Sequence, residues 1–162
     1  MVPALIHRTR KYLAHPTPLQ AGNRSILIFL TVCTKEHKAV LANQMAHDLL
    51  LESWTKADSW LVGRYCVMPD HVHLFCAPND VEPGSLKKWV GFWRGHVARR
   101  WVTPADGKLW QTDFWDTQLR MGERYSEKWE YVRNNPVRKG LVRAANDWPY
   151  QGEMNTLVWH DK

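Results

Sequence analysis

The sequence has few cysteines, no long apolar run, no internal repeat and no low-complexity tract. Its three cysteines, Cys33, Cys66 and Cys76, form no Cys-x-x-Cys pair, and two of them lie inside apolar runs. That pattern excludes a disulfide miniprotein and reads as reduced core thiols of a cytosolic protein. The longest apolar stretch, Ile26 to Cys33, is less than half of the roughly 20 residues a membrane-spanning helix needs. Met1 to Ile6 is too short for a secretion signal and runs at once into His7, Arg8, Arg10 and Lys11, so no targeting segment is expected. Hydrophobic residues at 44% and charged residues at 23% exclude a disordered chain and a collagen. A soluble intracellular protein is expected, with no membrane partner.

What is present is enough for one core. A length of 162 residues favours a single domain, since domains cluster near roughly 100–150 residues. Lys and Arg number 22 against 16 Asp and Glu, a net charge of +6 that points toward a polyanionic partner. Ten Trp and five Tyr accompany that charge. Aromatic faces beside cations hold unstacked bases along a phosphate backbone, and the same rings also serve simply to fill a core.

Residues 1 to about 23 carry Arg8, Arg10 and Lys11, then Pro16, Pro18 and Gly22, without apolar periodicity, and read as an extended basic arm. Ile26 to Thr34 is β-branched, aromatic and nearly continuous, as a strand covered on both faces would be. Leu41, Met45, Leu49 and Trp54 give Val40 to Trp54 a helical period. Ser59–Met68 and His71–Ala77 read as a hairpin turning at Pro69-Asp70. Ser85 can cap a helix whose apolar arc is Leu86, Trp89, Val90, Trp93, Val97 and Trp101, with Lys87, Lys88, Arg94 and Arg99 away from it. Trp110 to Leu119 suits a short strand or irregular segment at the sheet edge. A last helix is expected from an N-cap at Ser126 to Asn134 or Asn135, where Pro136 disfavours continuation, with Gly140 a later breaker.

His71 and His73 stand at i and i+2 on the second hairpin strand, so they project from one face and can share a metal ion, while Val72, Leu74 and Cys76 face the other way. Two partly exposed imidazoles without a metal would give the same spacing. Tyr131 and Asn135 stand at i and i+4 on the expected last helix. If that face packs near the hairpin, Asn135 would complete the metal shell, and Tyr131 would attack a phosphodiester that the metal polarises.

Together these pieces resemble a known family. Met68-Pro69-Asp70-His71-Val72-His73 is similar to the histidine-hydrophobic-histidine motif of single-tyrosine transposases. Tyr131 to Val142, with Asn135-Pro136-Val137 and Lys139-Gly140 inside it, resembles the tyrosine helix of the transposases associated with repetitive extragenic palindromes (REPs). Asp147-Trp148-Pro149-Tyr150 resembles their closing segment, so the likeness runs from about Ser25 to Tyr150.

The resemblance implies an α+β, ferredoxin-like sandwich with a central antiparallel sheet, occupying about residues 24–152 and followed by a tail. It implies His71, His73 and Asn135 as ligands of Mg2+ or Mn2+, and Tyr131 as the nucleophile joined to a 5′ phosphate. The implied partner is single-stranded DNA folded into palindromic hairpins, handled in the cytoplasm at the bacterial nucleoid; related transposases include dimers that exchange tyrosine helices and others that act as monomers, and a monomer is favoured here over a dimer. Tyr125 is a nearby rival nucleophile, set before the expected helix and lacking the Asn-Pro that follows Tyr131.

Phosphate contacts are expected from Lys87, Lys88, Arg94, Arg99, Arg133, Arg138 and Lys139, and base contacts from Trp110, Trp115 and Arg120. Two alternatives stay open: a hairpin-binding protein that no longer cuts, and a metal-dependent phosphodiesterase in which water attacks.

Overall fold

The computed structural model describes residues 26–101, 108–120 and 123–159. The expected basic arm, with Arg24 and His160, lies outside the described residues. Five strands, β1 (Ile28–Cys33), β2 (Trp60–Val67), β3 (His71–Pro78), β4 (Trp115–Gln118) and β5 (Gln151–Glu153), form one antiparallel sheet in the order β4-β1-β3-β2-β5. The helices are α1 (Gln44–Lys56), α2 (Leu86–Arg99), α3 (Tyr125–Arg133) and α4 (Asn135–Arg138). The first six elements run β1-α1-β2-β3-α2-β4, the ferredoxin-like arrangement expected, and β5 adds a strand beyond β2.

Strand alternation sorts the core into two layers. Ile28, Leu30 and Val32 of β1 and Val72, Leu74 and Cys76 of β3 pack with Leu50 and Trp54 of α1 and Trp89, Val90, Trp93 and Val97 of α2. On the other face Phe75, Cys66 and Leu27 meet Tyr125 and Val132 of α3, together with Trp148 and Leu157. His71 and His73 belong to this second face. Between Val62 and Tyr65 a bulge resets the phase of β2. Gly63 sits within it because a Cβ there would stand 2.6 Å from Leu157 Cδ1 and 2.8 Å from Tyr125 Oη. Residues beyond the expected boundary at 152 also pack here: Leu157 is buried, and Trp159 Nε1 donates to the Glu123 carbonyl at 2.7 Å.

Local chemistry explains where expectation and structure part. The first helix begins at Gln44 because the Asn43 side chain caps it, accepting from Ala46 N–H at 2.8 Å, and Met45 is left exposed on the first turn. Ser85 caps α2 as expected, through Lys88 N–H. Ser126 does not cap α3: Arg124 holds that position without a side-chain bond, and both Tyr125 and Ser126 lie inside the first turn. The helix ends where expected, at Arg133 with Asn134 as its C-cap, and Pro136 then opens α4, since proline tolerates a helix's first positions where its missing N–H has no partner to lose.

His47 and His96 are buried and hydrogen-bonded, to Tyr65 Oη at 2.8 Å and Ser53 Oγ at 2.6 Å. Burial lowers the pKa of both; at His96 the neighbouring Arg100 and Lys56 add to it. Folding therefore favours their neutral forms, whereas the unfolded chain protonates them below about pH 6.5. Their contribution to stability is complete above that pH and declines below it. The thermal midpoint should fall by several degrees between pH 7.5 and pH 5, and stay flat between pH 7.5 and 8.5, in a calorimetric series.

Candidate active site

The hairpin and α4 build the site. Met68 N–H donates to the His71 carbonyl at 2.8 Å, closing the two-residue Pro69-Asp70 turn and starting β3 at His71. His71 and His73 then face the same way, and their Nε2 atoms stand 3.0 Å apart. Each ring is held by its other nitrogen: His71 Nδ1 against Asp70 Oδ1 at 2.7 Å, His73 Nδ1 against Thr31 Oγ1 at 2.9 Å. With Nδ1–H donating in both rings, the two Nε2 lone pairs converge, an arrangement that repels unless a cation or proton lies between them. His73 stacks on Phe29, with ring centroids 5.3 Å apart. Burial first, then the charges of His71, Arg138 and Lys139, lower its pKa well below the usual histidine value, which favours its neutral form. The Asp70 carboxyl is lowered by its bond to His71.

Asn135 is buried at 2% exposure, and its Nδ2 lies 3.5 Å from His71 Nε2. Its Oδ1 is buried without a hydrogen-bond partner. An orphaned amide oxygen costs about 1–3 kcal/mol, and a half-turn of the amide would bring that oxygen toward the two imidazole nitrogens. The residues therefore fit a divalent cation: two imidazole nitrogens and one amide oxygen. Among the described residues no group of three or more His, Cys, Asp or Glu side chains could hold a metal. The donor set here instead completes its third position with the amide.

Tyr131 is on α3 and 49% exposed, with Arg138 Cζ 4.0 Å above its ring. Tyr131 lies on α3 and Asn135 opens α4 just past Asn134; the first is half-exposed and the second is buried beside the histidines. Tyr125 is not before the helix but at its start, 5% exposed, with its Oη accepting Arg64 N–H at 3.0 Å. Burial pushes its phenol up to about 12. Tyr125→Phe should cost about 1–3 kcal/mol by stranding that N–H. Denaturant titration measures this loss, and any DNA-linking activity should survive in the variant.

The cations fall into separate groups. Arg138 and Lys139 are exposed beside the site and act electrostatically on His73. Arg133 is tied to Glu130 at 3.3 Å and to Asn146. Lys87, Lys88 and Arg99 are exposed on α2, across the sheet from the histidines. Arg94 is committed elsewhere: Nη1 donates to the Gln111 carbonyl at 2.6 Å, and burial lowers its pKa. Trp110 is a core residue, 6% exposed, whose Nε1 donates to the Arg94 carbonyl. Trp115 is half-buried and Arg120 exposed. Sequence reasoning missed Thr31, which the β1–β3 register alone brings opposite His73.

Residues 24–135 match the family described as Transposase IS200 like. A REP-associated tyrosine transposase of Escherichia coli K12 is 25% identical over 91 residues, 55% of this chain and 52% of its own length. A Haemophilus influenzae relative is 24% identical over 97 residues, 52% of this chain and 54% of its own length. The chain thus spans about half the length of the curated relatives it matches. Among solved structures, a REP-associated tyrosine transposase bound to a REP hairpin superposes with a TM-score of 0.66 at 19% identity, over 88% of this chain and 79% of that one. No helix among the described residues is long and apolar enough to cross a membrane.

Proposed function

This chain belongs to the IS200-like transposase family, and from that premise we propose that it is a metal-dependent single-stranded DNA endonuclease and strand transferase acting through a 5′-phosphotyrosine on Tyr131. The observation that carries the reading is the convergence of His71 Nε2 and His73 Nε2, 3.0 Å apart, beside the orphaned amide oxygen of Asn135. The hairpin bound by the structural relative supports palindromic hairpin DNA as the substrate.

Magnesium or manganese held by His71, His73 and Asn135 would polarise the scissile phosphodiester and offset its developing charge, with neutral imidazoles favouring manganese. Tyr131 Oη forms a bond to phosphorus, and the bond from phosphorus to the 3′ oxygen breaks. The phenol proton leaves to solvent, and the departing 3′ oxygen takes one up. One phosphodiester replaces another, so no outside energy source is needed. A 3′ hydroxyl attacking the phosphotyrosine reverses the step and releases Tyr131, and that reversal is strand transfer.

Arg138 restrains the Tyr131 ring from above and, with Lys139, carries positive charge to the phosphate. These two, rather than the α2 cations across the sheet, are the phosphate contacts at the reacting bond.

The test is incubation with single-stranded hairpin oligonucleotides from REPs of its own genome, in manganese, followed by a denaturing gel. A covalent protein–DNA adduct is expected. Hairpin binding with neither cleavage nor adduct, across several metals and hairpins, would overturn the reading in favour of a non-cutting hairpin-binding protein.

A further inference from the structure

On the same sheet face, away from the histidines, a cleft of about 490 Å³ opens between α3 and the β2–β5 edge. That volume is within the range of small-molecule sites. Trp129, Glu130 and Arg133 of α3, Arg64 of β2 and Glu153 of β5 line it. Its charges come in pairs: Arg64 Nε lies 3.3 Å from Glu153 Oε2, and Arg133 Nη1 lies 3.3 Å from Glu130 Oε1. Two guanidinium groups against two carboxylates leave no net charge. Such a cleft suits a neutral, flat, hydrogen-bonding group rather than a phosphate.

The walls are fixed from behind. Arg64 Cζ lies 4.7 Å above the Tyr125 ring, and β5 presses so closely on Tyr65 that a Cβ on Gly152 would stand 2.9 Å from Tyr65 Oη.

The cleft is also placed to meet the substrate. At 100° per residue, the buried side of α3 is marked by Tyr125 and Val132; Trp129 and Arg133 flank it on one side and Tyr131 on the other, with Glu130 on the outer face at the cleft's rim. Below α3 runs β2, with β3 and its histidines to one side and β5 to the other. The reacting bond and the cleft thus lie on opposite flanks of one helix, roughly 10 Å across. A strand held at Tyr131 reaches the cleft by passing over α3.

We propose that this cleft takes one unpaired nucleobase of that strand, stacked on Trp129, and that guanine is the base it selects. Guanine presents two adjacent acceptors, N7 and O6, to a guanidinium. On its other edge it presents two adjacent donors, N1–H and N2–H, to a carboxylate. The cleft offers both partners on both sides. The inference rests on the single-stranded DNA reading above, and the experiment separates the two.

The full chain, labelled with ¹⁵N at tryptophan, is titrated with the DNA trinucleotides thymidine-guanosine-thymidine and thymidine-thymidine-thymidine. The indole N–H resonance missing from Trp129→Leu should shift with the first only, with at least a roughly tenfold tighter affinity for it. Glu153→Gln should cut that preference about tenfold. No shift at Trp129, equal shifts with both probes, or a preference untouched by Glu153→Gln overturns the proposal. Trinucleotide binding involves no cleavage. An adduct without a Trp129 response counts against the cleft alone, and a guanine response without an adduct counts against the phosphotyrosine alone.

Discussion

Tyr131→Phe should eliminate the covalent adduct and reduce hairpin cleavage to below about a thousandth of wild type, as expected when a nucleophile is removed outright. Only one oxygen is lost. The Tyr131 side chain is half-exposed, so no buried partner is stranded, and a phenylalanine ring still accepts the Arg138 guanidinium above it. Folding and hairpin affinity should therefore stay close to wild type, and an electrophoretic shift assay checks the affinity. Substantial remaining cleavage that yields free 5′ phosphates would show that water attacks and that Tyr131 only orients substrate. The buried Tyr125 cannot substitute, because its Oη is enclosed and already bonded to the Arg64 backbone.

His71→Ala should lower manganese affinity by at least about a hundredfold and abolish adduct formation at micromolar metal. A ligand lost costs more than an outer partner lost, and the latter already costs about 10–100-fold. The substitution removes one of two converging nitrogens and leaves Asp70 without the imidazole that it positions. Calorimetric titration with manganese and the adduct gel read the two effects separately. Normal cutting in manganese by this variant would show the ligand set to be wrong. Circular dichroism confirms the fold, which Val72 and Leu74 anchor from the opposite face of β3.

Much of this was legible in the residues because it is local. Strand alternation around His71-Val72-His73 places both imidazoles on one face whatever else the chain does. The Pro69-Asp70 turn sets the hairpin, and the Ser85 cap sets the start of α2. The wheel of α2 sorted Trp89, Trp93 and Val97 inward, as found. Pro136 marked the end of α3 at Arg133 as expected, whereas Ser126 looked like a cap and is not one: the helix starts at Tyr125, whose side chain is buried and accepts from Arg64 N–H.

By itself the sequence named the side chains of the candidate site, an imidazole pair, an amide and a tyrosine, along with the order of the strands and helices that carry them. Only the tertiary structure decided which of these meet. The antiparallel register set Thr31 behind His73, packing buried Asn135 beside the histidines and left Tyr131 half-exposed, and the two-layer sandwich put the α2 cations on the far face while leaving Arg138 over the tyrosine. The physical reason is range. Periodicity and capping act within a few residues along the chain, whereas a site assembled from positions 31, 71, 135 and 138 exists only after the sheet has paired and the helices have packed on it.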